Sequence, residues 1–281
     1  MNQNFTDTPA GAAGTVALGD DLRVNRLGFG AMRIAGRGVW GEPKDRAAAL
    51  RVLRRAVELG INFIDTADSY GPETSERLIA EALHPYPQGL VIATKGGLTR
   101  PGPDKWERDG RPEHLRAACE GSLLRLRLQR IDLYQLHAPD PKVPFEDSVG
   151  ELVRLQQEGK IRYIGLSNVT VSELRRAQRL APIVSVQNHY NIENRTHEEV
   201  LEQCERETIA FIPYFPLGAG RHAQDSAAPD SELARIARER GLTMTQAALA
   251  WLLARSPVML PIPGTSSVAH LEENVAAAAR P

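Results

Sequence analysis

The chain has 281 residues, 42% hydrophobic and 25% charged, with a formal net charge of −1. That composition suits one α/β barrel or two ordinary globular domains and excludes a disordered or fibrous chain. Lys and Arg are scattered among acids, which argues against nucleic acid or an anionic membrane as partner, and no apolar run approaches the roughly 20 residues that cross a bilayer.

In chain order, residues 1–14 are small, polar and rich in Gly and Ala. They lack the basic start and apolar stretch of a signal peptide, so a disordered tail and a cytoplasmic protein are expected. Cys119 and Cys204 are then expected as free thiols, buried or half-buried. A hairpin is predicted over residues 15–18 and 22–27, joined by the turn residues Gly19, Asp20 and Asp21. After it, short apolar runs alternate with amphipathic stretches. Strands are predicted at 28–32, 63–68, 91–95, 132–137, 163–167, 185–189, 211–216 and 259–263. Helices are predicted at 45–59, 74–83, 112–128, 145–158, 171–180, 198–207, 244–255 and 268–278. Leu50, Val52, Leu53, Ala56 and Leu59 recur at helical spacing, Gly60 closes that helix, and Ser172 with Glu173 marks the start of another. The strands are continuous apolar runs, as in a parallel sheet covered on both faces. Eight strand–helix alternations predict an α/β fold, a (β/α)8 TIM barrel with an N-terminal β-hairpin, as a single domain over residues 15–281. The long loops 34–44, 96–111 and 218–231 each follow a strand, which places them over the C-terminal mouth, where barrel active sites are built.

Three successive strands end in a titratable residue: Asp65, Lys95 and His137. Any one of these alone is more often a cap, a snorkelling lysine or a satisfied core histidine. Three together at a buried barrel end must pair with one another, because isolated buried charge is costly.

These residues sit in segments that resemble the aldo-keto reductase family: Phe63-Ile64-Asp65-Thr66-Ala67-Asp68-Ser69-Tyr70-Gly71, Ala93-Thr94-Lys95 and Leu133-Tyr134-Gln135-Leu136-His137. Four later segments follow in the family's order, around Ser167, Gln187, Tyr214 and Gly264. The resemblance implies a catalytic tetrad of Asp65, Tyr70, Lys95 and His137, with Tyr70 as general acid toward a carbonyl oxygen. Lys95 is expected to lower the phenol's pKa, Asp65 to orient Lys95, and His137 to direct the carbonyl. No metal is implied.

The resemblance also implies a reduced nicotinamide cofactor, NADPH with NADH possible. Gly30, Ala31 and Met32 would lie beneath the nicotinamide, beside Asp65, and Ser167, Asn168 and Gln187 would hold its carboxamide. Tyr214 would stack on it, and Pro216, Leu217 and Gly218 would approach the pyrophosphate. Gly264, Thr265, Ser266, Ser267 and His270 would surround the 2′-phosphate, and Glu273 and Asn274 the adenine. Gly264 and His270 stand where many family members carry Lys and Arg, which weakens a strict NADP preference. Trp40, Tyr70, Trp106, His137 and the segment after Gly218 are expected to line the pocket for a small-molecule carbonyl substrate. Loop residues 34–43 look like a subgroup linked to pyridoxal or pyridoxine oxidoreduction, and a broad aldehyde reductase is the equal alternative. The chain stops soon after the last helix, where family members usually continue, which leaves a more open pocket as one expectation. A monomer or weak homo-oligomer is expected. Two other readings stand beside the reductase: a non-catalytic NADPH-binding regulatory protein, and a barrel hydrolase or isomerase using Asp65 and His137.

Overall fold

The computed structural model describes residues 5–218 and 231–280. Strands β1 (Thr15–Leu18) and β2 (Leu22–Asn25) form the expected hairpin, with Leu18 opposite Leu22 across the turn. Seven strands then make one all-parallel sheet: β3 (Phe29–Gly30), β4 (Phe63–Asp65), β5 (Val91–Gly96), β8 (Ile131–Leu136), β9 (Ile161–Ser167), β10 (Ile183–His189) and β11 (Ala210–Tyr214). They are joined on the outside by helices α1 (Arg46–Glu58), α2 (Thr74–Leu83), α3 (Pro112–Leu126), α4 (Phe145–Gln157), α5 (Val171–Gln178) and α6 (Glu198–Glu207). The fold is an α/β barrel.

The eighth predicted strand, residues 259–263, is not a regular strand. Met259 makes one parallel bridge to Phe211. The Leu260 amide donates to the Phe211 carbonyl at 2.8 Å, and the Gly28 amide donates to the Pro261 carbonyl at 3.0 Å. The segment therefore touches β11 on one side and the residues before β3 on the other, closing the ring. Pro261 and Pro263 have no N–H to give, which is why the ladder stops there.

Three further elements depart from the sequence expectation. Residues 98–108 form a second hairpin, β6 (Leu98–Gly102) and β7 (Lys105–Arg108), inside the predicted loop. Helix α7 (Glu232–Arg240) follows Ser231, whose side chain accepts from the Ala234 amide, and stops at Gly241 in the left-handed region. It precedes α8 (Met244–Arg255) and α9 (Val268–Ala276). The predicted disordered tail also differs: Phe5, Ala10 and Ala13 are buried, and the Asn25 amide group donates to the carbonyls of Phe5 and Gly60 at 2.8 Å each. Apolar burial and these bonds hold residues 5–14 against the base of the barrel; residues 1–4 lie outside the described residues. The cap of α5 is Thr170, in a reciprocal box with Glu173, rather than Ser172.

Val16, Leu18 and Val24 of the hairpin pack with Phe63, Val91, Ala93, Leu133, Ala210 and Ile212. The hairpin thus plugs the N-terminal end and leaves the C-terminal end of the strands for chemistry. Cys119 and Cys204 are free and buried, and burial pushes both thiols up to about 12. Among the described residues, no helix is long and apolar enough to cross a membrane.

Candidate active site

Side chains alternate across a strand, so the interior set can be read in steps of two. Phe63 leads to Asp65; Val91 and Ala93 lead to Lys95; Leu133 leads to Gln135 and then His137; Ala210 and Ile212 lead to Tyr214. The first members of each series form the apolar interior, and the last members bring polar groups to the mouth.

The structure brings the four tetrad residues together. Lys95 is fully buried and Asp65 is 1% exposed, so neither can rely on water. The Lys95 ammonium donates to Asp65 Oδ1 at 2.6 Å, to the Thr66 carbonyl at 2.8 Å and to the Tyr70 hydroxyl at 3.4 Å. Asp65 Oδ2 accepts from the Gln187 side-chain amide at 2.8 Å and the Gln135 side-chain amide at 3.0 Å. Burial works against the ammonium, but Asp65 and Tyr70 outweigh it and hold Lys95 above the usual lysine range. The Tyr70 phenol departs from expectation. Burial pushes it above 10.0, and the pull of Lys95 toward the phenolate does not reverse this. Tyr70 therefore keeps its proton at neutral pH, as a proton donor must.

His137 is buried 5.8 Å from Tyr70, ring centre to ring centre, and edge-on to it. Burial first, then Lys95 and Arg100, push its pKa well below 6.5, so the ring is neutral. The Ser69 hydroxyl lies 3.4 Å from His137 Nδ1; when it donates there, Nε2 carries the proton and is the donor nitrogen. Trp106 stands edge-on to Tyr70 at 6.2 Å and inclined to His137 at 6.4 Å. Trp40 reaches the same mouth from the first loop, bridged to Gly71. The rest of the expected substrate wall, residues 219–230, lies outside the described residues.

The cofactor-side residues fall into two groups. Ser167, Asn168, Gln187 and Tyr214 surround the tetrad. The Tyr214 hydroxyl donates to Asn168 Oδ1 at 2.8 Å, and Asn168 Nδ2 donates to the His137 carbonyl at 3.0 Å. One face of Tyr214 stacks on His189, 12° from parallel. Pro216, Leu217 and Gly218 form the turn that leaves β11. The second group lines a groove of about 770 Å³ between α7, α8 and α9: Leu217, Gly264, Thr265, His270, Glu273 and Asn274 are all there. Ser267 caps α9, accepting from the His270 amide, and Thr265 Oγ1 accepts from the Ser267 amide. Ser266 is exposed beside it.

Gly30 and Gly264 face each other across the barrel closure. A Cβ on Gly264 would fall 2.3 Å from the Gly30 carbonyl oxygen, and one on Gly30 would fall 2.6 Å from the Ile262 oxygen. Close backbone approach thus calls for glycine at both positions. Ala31 and Met32 continue from Gly30 into a short 3-10 helix.

Four residues with a bearing on the site were missed in the sequence. Gln135 lies within a quoted motif, and its step-of-two relation to His137 was available as a signal. Asp68 lies within the quoted motif of Asp65 and Tyr70, at the end of a predicted strand, and Arg100 carries no local sign of burial. Arg238 of α7 lines the groove and was lost with the helix itself.

The groove, with its hydroxyls and the start of α9, suits a phosphate-bearing nucleotide, and the tetrad, which lies outside its lining, is a separate buried cluster at the barrel mouth. Comparison with known proteins agrees. The chain is 54% identical to an uncharacterized oxidoreductase of Schizosaccharomyces pombe over 96% of this chain and 86% of that one. It is 44% identical to pyridoxine 4-dehydrogenase of Escherichia coli, covering 90% of this chain and 89% of that protein. Its fold matches an aldo-keto reductase from Klebsiella pneumoniae, solved in complex with NADPH, with a TM-score of 0.77 and 26% identity over 94% of this chain and 89% of that one. The model of the aldo/keto reductase family matches residues 26–281. The chain belongs to the aldo/keto reductase family.

Proposed function

We propose that the protein reduces aldehydes or ketones with NADPH, with Tyr70 as the proton donor, and that pyridoxal-like aromatic aldehydes are among its substrates. The observation that carries this reading is the buried contact of Lys95 with both Asp65 and Tyr70. Reduced nicotinamide, when bound, supplies the hydride to the carbonyl carbon. The chain's own groups do the rest. Tyr70 gives its proton to the carbonyl oxygen as negative charge develops there. Lys95 stabilises the phenolate left behind, and Asp65, held by Gln135 and Gln187, keeps Lys95 in place. Neutral His137 donates a hydrogen bond to the same oxygen and fixes its direction.

Thr265, Ser266 and the start of α9 suit the 2′-phosphate, Glu273 and Asn274 the adenine, and Tyr214 the nicotinamide ring. Arg238 supplies the positive charge that Gly264 and His270 do not, which favours NADPH over NADH. The name of the Escherichia coli relative supports a substrate of the pyridoxal class. Fluorescence titration with NADPH and with NADH, followed by NADPH oxidation with pyridoxal, tests the reading. Tighter binding of NADPH and turnover with pyridoxal are expected; binding of neither nucleotide sinks it.

A further inference from the structure

Arg100 lies at the mouth of the barrel, where its charge helps keep His137 neutral, and it makes no side-chain hydrogen bond to the tetrad. It is 8% exposed. All five of its N–H donors go to main-chain carbonyls: Nε to Lys105, Nη1 to Val39 and Ser69, Nη2 to Gly38 and Gly102, at distances from 2.7 to 3.5 Å. A guanidinium has five donors, so none remains for a substrate. Arg100 is therefore not an anion hook.

Its bonds join three segments that backbone bonds also link (Gly41 to Gly71, Gly71 to Val39, and Asp104 to Gly38): the first loop, the stretch before Tyr70, and the β6–β7 hairpin. Val39 sits at φ 52, a conformation a β-branched residue avoids and keeps only when its surroundings hold it there. Its carbonyl accepts from Arg100 at 2.8 Å and from the Gly71 amide at 3.2 Å. Ser69, also held by Arg100, carries the hydroxyl next to His137.

The flat face of the guanidinium covers Trp106, 3.6 Å from the ring centre. Trp106 is 39% exposed and lies on β7, whose residues are all exposed, so the hairpin alone does not fix its ring. With Arg100 behind it, Trp106 closes a corner of three mutually inclined rings with Tyr70 and His137. Offset and edge-on contacts of this kind receive a planar ring and give little to a short alkyl chain.

We propose that Arg100 is a specificity-determining positioning residue: by stacking on Trp106 it holds the pocket wall that selects planar aromatic aldehydes over small aliphatic ones. This rests on the carbonyl-reductase reading above. The test compares kcat and KM for benzaldehyde and propanal with NADPH in the wild type, Arg100→Met, Trp106→Ala, the double variant and Arg100→Lys. In Arg100→Met the ratio of kcat/KM for benzaldehyde to that for propanal should fall about tenfold, mostly through KM for benzaldehyde. Trp106→Ala should lower the ratio similarly, and the double variant should match Trp106→Ala within about twofold, because both remove one wall. Arg100→Lys should not restore the ratio, since an ammonium has no plane to stack and too few donors for the clamp. NADPH should still bind Arg100→Met by fluorescence, which separates lost selectivity from lost fold. An unchanged ratio in Arg100→Met, or multiplying effects in the double variant, overturns the proposal. Should Arg100→Met fail to fold, an unchanged ratio in Trp106→Ala alone does so. A wild type that reduces neither aldehyde removes the reductase reading, and this inference with it.

Discussion

At the tetrad, all three N–H groups of Lys95 and both oxygens of Asp65 have partners from strand ends or the loops just after them. In the groove between α7, α8 and α9, the lining mixes apolar side chains, hydroxyls and glycines with Arg238, His270 and Glu273, and Arg238 and His270 are exposed. The first region is closed upon itself before any ligand arrives; the second is an open groove. On the proposed reading the difference separates two functions: proton donation, which needs a geometry that does not relax, goes to groups held by the strand ends, and nucleotide choice, which needs charge and room, goes to the groove.

If that division holds, the largest effect comes from the tetrad. Tyr70→Phe removes the proton donor and keeps the ring that packs on His137 and Trp106. Turnover should fall by about 10²–10⁴-fold, the usual contribution of general acid catalysis, with NADPH affinity unchanged. Steady-state kinetics with a nucleotide titration reads both. Full activity in Tyr70→Phe would falsify the role given to the tetrad. Lys95→Met is a poorer probe, because it strands the buried Asp65 carboxylate, and breaking a buried pair costs about 3–5 kcal/mol of stability.

The same contrast governs how much of the molecule was readable from its sequence. Asp65, Lys95 and His137 stand at or beside the ends of β4, β5 and β8, where apolar runs give way to polar groups, and the barrel follows from the alternation. The eighth strand did not form a ladder, because prolines interrupt an otherwise apolar run and periodicity is blind to missing donors. Helix α7 was passed over although Ser231 and Gly241 mark its two ends; its short, mostly charged sequence, Glu232–Arg240, shows only a narrow apolar face of Leu233, Ala234 and Ala237. β7 is exposed and the stretch before it runs Pro101-Gly102-Pro103, so its pairing left no pattern, and the burial of Arg100 within β6 left none either. Strength of a local signal tracks the apolar area it buries. The tetrad is set in the strongest signals, and the groove and the pocket wall in the weakest.

The groove can be probed without disturbing the sheet. Arg238→Gln removes a cation from the lining and leaves α7 capped at both ends. NADPH should bind about tenfold more weakly, the loss of roughly one charge-assisted hydrogen bond, while NADH is unaffected. Equal weakening of both nucleotides would show that Arg238 supports the groove's shape, and no change in either would place the 2′-phosphate elsewhere.

The smallest expected effect concerns a carboxyl beside the tetrad, Asp68, one of whose oxygens lacks a hydrogen-bond partner. Asp68 follows β4 by three residues, and its Oδ1 is buried with no hydrogen-bond partner. Burial first, then the Glu76 carboxylate, push its pKa from 3.8 up to about 8, against the pull of Arg125. The folded protein therefore holds a proton on Asp68 where the unfolded chain has already lost it. From about pH 4 to pH 8 the folded state binds more protons than the unfolded one, so this group lowers stability as pH rises across that window. Above pH 8 both states are ionised and the penalty is constant; below pH 4 both are protonated and it is absent. Asp68→Asn removes the charge and keeps the shape, although its amide oxygen still lacks a partner, so only part of the penalty is recovered. The melting temperature should rise by about 4 °C at pH 8 and by nothing near pH 4, following the usual few degrees per kcal/mol for a chain of this size. Calorimetry at the two pH values decides it. A gain of equal size at both would mean that packing, and not the buried charge, is what Asp68 disturbs, and the tetrad's surroundings would then be as settled as the tetrad itself.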